Sequence, residues 1–142
     1  MAVSQVTERG GAGMTQRERI TKHLRDVFET GPEHLWARYP TYSVFRHPLS
    51  GKWYALMADV PRNKLGLDGE GDVTVLDVKC SPLMVGSLLS ETGFLPAYHM
   101  NKTTWTAILL DGSVPDETIL PLLELSYASV APKRKAKPQP MD

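Results

Sequence analysis

One cysteine, Cys80, is the whole sulfhydryl content of 142 residues. A lone thiol makes no intrachain disulfide, so a stapled secreted scaffold is excluded and a reducing, cytoplasmic setting fits. No apolar run approaches the ~18 residues that span a bilayer, so no membrane partner is expected. The first residues lack the apolar stretch of a secretory signal. Charge of one sign is missing too: 16 basic and 16 acidic residues give a formal net charge of +0 and a pI near 6.9. That balance argues against a strongly basic nucleic-acid clamp and leaves room only for a local patch. There is no internal repeat, and no HExxH, CxxC, phosphate loop or serine elbow.

The remaining reactive side chains do not assemble into a catalytic or metal-binding pattern. His23, His34, His47 and His99 are scattered, with no i, i+4 pair and no Cys/His cluster, so no metal is expected. Cys80 ends a predicted strand just before a predicted helix, a place that can lower a thiol pKa. No orienting Asn or Asp accompanies His47 or His99, however, and a single Cys is more often a small buried apolar residue. The chain is therefore read as non-enzymatic, with no catalytic residue and no cofactor.

What is present reads as one α+β domain over 15–131. Residues 1–14 are a Gly-rich extension expected to be disordered, with Met14 an alternative start to Met1. Residues 132–142 are a basic, Pro-rich tail. Thr15 and Glu18 form a capping box for a helix to Glu29, whose apolar face is Ile20, Leu24, Val27 and Phe28. Strands follow at Tyr42–Arg46, Lys52–Val60 and Asp72–Lys79. In the second, Trp53, Ala55 and Met57 alternate with Tyr54, Leu56 and Ala58. Ser81 and Pro82 open a second helix, with Leu83, Met84 and Leu88 facing the core and Val85 and Leu89 as further candidates for that face. A hairpin runs from Pro96 to Gly112, with arms Ala97–Met100 and Trp105–Leu110 and a tip of Asn101 to Thr104. If its turn is tight, Tyr98 and His99 stand opposite Trp105. The last helix starts near Pro115, and Pro121 is expected to kink it or delay its start. The order α-β-β-β-α-β-β-α suits a two-layer sandwich of a mainly antiparallel sheet and flanking helices.

The ordered set Lys79, Ser81, Pro82, His99, Asn101, Lys102, Trp105, Leu110, Asp111, Gly112, Pro115, Ser126 and Tyr127 resembles the MmcQ/YjbR family, with a looser match at Lys52 and the aromatic strand after it. Members often carry His just before the tryptophan; here that position is Thr104. The resemblance implies a frataxin-like, CyaY-like fold. It does not bring iron with it: Arg17, Arg19, Lys22 and Arg25 against Glu18, Asp26 and Glu29 make a mixed first helix that would not gather hard cations. It also implies DNA binding, double-stranded DNA being gripped by two β-hairpin wings.

On that implication Lys102, Lys52 and Arg46 would contact phosphate, and Asn101 and His99 would contact bases or backbone. Lysines on exposed turns are also what turns ordinarily carry. Trp105 would stack on a base or, more commonly for a tryptophan heading a strand, pack in the core. The alternative function is a small protein-interaction or adaptor domain with no nucleic-acid role. An exposed apolar patch would mark that alternative, and a contiguous positive face would mark DNA.

Overall fold

In a computed structural model, residues 13–133 are described. The N-terminal extension and the basic tail therefore lie, apart from residues 13, 14, 132 and 133, outside the described residues. Helix α1 spans Gln16–Val27, and its capping box forms in both directions: Thr15 Oγ1 accepts from the Glu18 amide at 3.1 Å and Glu18 Oε1 accepts from the Thr15 amide at 2.9 Å. Two of the first helix N–H groups that lack intrahelical partners are satisfied this way. Strands β1 (Ser43–Arg46), β2 (Trp53–Pro61) and β3 (Asp72–Lys79) follow, then α2 (Pro82–Leu88), β4 (Phe94–Pro96), β5 (Trp105–Leu109) and α3 (Asp116–Ser129). They form one sheet in the order β1-β2-β3-β5-β4, antiparallel at every pairing. The α+β order read from the sequence is thus the order observed.

The helices share one face of the sheet. Ile20 and Leu24 of α1 and Ile119 and Leu123 of α3 pack on Phe45, Met57, Leu76, Val78 and Ile108, with Met84 and Leu88 of α2 against the same cluster. Each such side chain, fully removed from water, contributes about 1.5–3 kcal/mol. Polar bonds fix the helices in register. Ser126 Oγ donates to the Tyr54 carbonyl at 2.6 Å and accepts from the Lys79 amide at 2.9 Å, tying α3 to β2 and β3. Gln16 ties the start of α1 to the β5–α3 connection through the Val114 carbonyl and the Gly112 amide. Pro121 neither delays α3 nor ends it. It is exposed on the second turn, and its missing amide leaves a solvent-side carbonyl for water to satisfy.

Three local expectations are corrected. Val27 and Leu83, expected on apolar faces, are 54% and 85% exposed. The second hairpin is shorter than the sequence suggests: its first arm is Phe94–Pro96, pairing Phe94 with Ile108 and Pro96 with Thr106. Residues 97–104 form a loop, because the Tyr98 amide is taken by the Asp77 carboxylate and His99 has a left-handed φ of 64°. Trp105 pairs with Lys79, not with Tyr98 or His99. Finally, the alternation of β2 breaks at its start. Phe45 pairs with Ala55 and Arg46 with Trp53, so Tyr54 is the extra residue of a β-bulge. Tyr54 turns into the helix-side core beside Ala55, and Trp53 goes to the opposite face with Leu56.

That opposite face carries Ala58, Val60, Val73, Val75, Ala107 and Leu109 and, among the described residues, has no α-helix over it. Its cover is Tyr42 at the end of the 31–42 connection, Leu65 of the short 3-10 helix Arg62–Leu65 with Leu67 after it, and the 97–104 loop through Tyr98.

Candidate functional site

β1 ends at Arg46 and β2 starts at Trp53; β3 ends at Lys79 and β5 starts at Trp105, opposite it. The β1–β2 turn and the β4–β5 loop therefore leave the same end of the sheet, one on each side of β3. Three inter-strand spacings separate the two hairpins, roughly 14 Å.

Between them, on the face without an α-helix, lies a half-open hollow of about 330 Å³ lined by Trp36, Tyr39, Tyr42, Trp53, Leu56 and His99. Leu56 is its buried floor. The bulge supplies Trp53. The 31–42 connection supplies three more rings, held to the sheet by paired Glu33 and Val44 backbone bonds of 2.9 Å. Trp36 stands edge-on to Trp53 (centroids 5.9 Å apart, 83° between planes) and to Tyr42 (5.9 Å, 75°), while Tyr39 stacks on Tyr42 (4.9 Å, 26°). These are the offset and T-shaped geometries that aromatic rings prefer. Burial, with the Tyr98 phenol beside it, pushes the Tyr42 hydroxyl up to about 12, so it stays a neutral donor.

The 97–104 loop is held down by two tethers. Asp77 Oδ1 accepts from the Tyr98 amide at 3.3 Å, and Lys102 Nζ donates to the Ala97 carbonyl at 2.8 Å. Asp77 is 1% exposed, and its second oxygen has no partner among the described residues. Burial pushes this carboxyl up to about 7, against the opposing pull of the Tyr98 amide and the Lys102 charge. Asn101 Oδ1 accepts from the Thr103 amide at 2.8 Å, an Asx turn that shapes the tip.

The five residues singled out from the sequence all sit at this end. Lys52, Asn101, Lys102 and His99 are exposed. Of these, His99 alone reaches the hollow, with its ring 6.1 Å from that of Tyr42. Arg46 is engaged, its Nε 3.0 Å from Glu33 Oε1. His47 is structural: its buried ring accepts from the Leu49 amide at 3.1 Å and packs on Tyr127 at 4.4 Å. Cys80 is half-buried, and burial pushes its thiol up to about 11, opposite to what a nucleophile needs. No group of three or more His, Cys, Asp or Glu side chains is placed to hold a metal ion among the described residues.

Charge is segregated along the sheet although the chain is neutral. The end with the two turns carries Arg46, Lys52, Lys79 and Lys102 against Glu29 and Glu33. The opposite end carries Asp59, Asp68, Glu70, Asp72, Asp111, Asp116 and Glu117 against Arg17, Arg19, Arg62 and Lys64. What sequence reasoning missed is the aromatic hollow. Its signal was there, in two tryptophans and two tyrosines between 36 and 53. The face on which Trp53 would emerge depended on the bulge.

Residues 25–129 match the family model described as YjbR. The chain is 40% identical over 114 residues to the Bacillus subtilis uncharacterized protein YyaQ, covering 80% of this chain and 97% of that one. It is 33% identical over 66 residues to the Escherichia coli K12 uncharacterized protein YjbR, covering 44% of this chain and 56% of that one. Among solved structures, a Pseudomonas syringae crystal structure matches with a TM-score of 0.79 at 40% identity over 81% of this chain and 98% of that one. The Deinococcus radiodurans protein DR2400, with a domain described as DUF419, matches with a TM-score of 0.57 at 26% identity, covering 77% of this chain and 76% of that one.

Proposed function

The chain belongs to the YjbR family, and from that premise we propose that it is a non-enzymatic DNA-binding module of the reducing cytoplasm that grips phosphate with its two turns. The observation that carries this reading is the convergence of both turns, with Lys52 on one and Lys102 on the other, at the basic end of a neutral molecule on either side of Lys79. Arg46 is only half-covered in its pair with Glu33, so a phosphate can compete for it. The tethered loop acts as a flat shoulder beside the sheet rather than as a free wing. Asn101 and His99 on that shoulder face the same ligand.

The test is fluorescence anisotropy of a labelled duplex titrated at several salt concentrations. Four neutralised phosphates give a slope of log K on log salt near −3.6. Lys52→Ala and Lys102→Ala should each flatten that slope by about one. Absence of binding at low salt would defeat the proposal.

A second reading as a protein-interaction module is favoured by one observation. Leu83 and Leu125 are 85% and 52% exposed, and Leu125 lies with Met84 along a separate groove between α2 and α3. Leu125→Asp should leave DNA binding intact and abolish any association that this groove mediates.

A further inference from the structure

We propose that the hollow formed by Trp36, Tyr39, Tyr42, Trp53 and His99 takes an unpaired nucleobase, so that the preferred partner is a nucleic acid with a base out of the stack. This rests on the phosphate-binding reading of the same sheet end.

Five of the six lining residues present π-rings, and the sixth, Leu56, closes the floor. Tyr39 is 50% exposed, so the wall stays open to solvent. A cavity of about 330 Å³ lies at the low end of small-molecule sites. It suits one flat ring system and is far short of the surface that a stable protein partner covers. The perpendicular Trp36 and Trp53 offer a face to stack on and an edge to bound it.

The surroundings favour a base that carries phosphate over a neutral aromatic molecule. Lys52 directly precedes Trp53. The loop that presents His99 also carries Lys102, which Ala97 holds in place. Aromatic platforms beside backbone-tracking cations are how proteins hold unstacked bases. His99 is the polar group placed to read the base edge. It has a left-handed φ of 64° in a loop held by two tethers, and strain of that kind collects at binding sites. In a duplex the target base would have to be bulged or extruded, which is cheapest where pairing is already lost.

The experiment uses three duplexes of one sequence: fully paired, with a single bulged adenosine, and with the bulged nucleotide abasic. The last two carry equal phosphate. The full chain should bind the adenosine bulge roughly 5- to 150-fold more tightly than the abasic bulge, the range that one stacked base supplies. Tryptophan fluorescence should be quenched only by the adenosine bulge. Tyr39→Ala, at a half-exposed position that folding tolerates, and Trp36→Leu should bring the ratio close to one while leaving abasic binding unchanged. If Trp36→Leu fails to fold, Tyr39→Ala decides. Equal, salt-dependent affinity for both bulges would overturn the base site and leave the phosphate reading standing. A preference that persists in the variants would place the base elsewhere and overturn the assignment. No binding of any duplex at low salt would remove the phosphate reading and the base site with it.

Discussion

Replacing Asp77 by Asn should make this protein more stable at neutral pH and leave it unchanged in acid. Asp77 sits near the end of β3 between Leu56 and Ala107 on the face without an α-helix, 1% exposed, with one carboxylate oxygen unpartnered among the described residues. Burial raises its pKa from 3.8 to about 7. In the unfolded chain the same group ionises near 3.9. Because the folded value is the higher one, its favourable contribution is complete below about pH 4 and is lost as pH rises towards 7. A gap of about three pH units at ~1.4 kcal/mol each amounts to up to about 4 kcal/mol. Asn keeps the shape and an oxygen for the Tyr98 amide, and it cannot ionise. Urea unfolding of both proteins at pH 4.5, 6 and 8 isolates the effect, because every other titrating group is shared. The midpoint of Asp77→Asn should exceed that of the parent by more than about 1 M at pH 8, for slopes of 1–3 kcal/mol/M. The gap should shrink to about 1 kcal/mol at pH 4.5 and close only below about pH 4. A constant offset across pH, or a variant weaker at pH 8, would refute the argument that an ionised carboxylate is being held out of water.

Two further outcomes follow from buried chemistry elsewhere. Ser126→Ala removes both the donor to the Tyr54 carbonyl and the acceptor for the Lys79 amide, so it should cost about 1–3 kcal/mol in urea unfolding; a loss below 0.5 kcal/mol would mean that the α3 tether is dispensable. Cys80, with its thiol pushed up to about 11, should react with iodoacetamide slowly at pH 8 and faster as pH rises towards 10; rapid, pH-independent alkylation would show an activated thiolate and reopen catalysis.

The sequence by itself determined the element order, because that information is local. Thr15 and Glu18 write a helix start that any fold would honour, Ser81-Pro82 writes another, and the period-2 runs of β2 and β3 can satisfy their backbone only by pairing. It also named the residues of both turns, since Asn101, Lys102 and Lys52 fall where apolar periodicity stops. Three things were decided only by the tertiary structure. The bulge at Tyr54 is a two-strand event: which of two adjacent aromatics enters the core depends on pairing with β1 and on the Phe28, Tyr127 and Thr30 contacts that receive the Tyr54 ring and hydroxyl. The shortening of the second hairpin depends on a carboxylate 21 residues away, since the Tyr98 amide leaves strand pairing for Asp77. The basic end emerges only when five strands are set in order, because composition averages Lys52, Lys79 and Lys102 with acids that the sheet sends to its far end. In each case the deciding interaction joins residues distant in the chain, which no local pattern records.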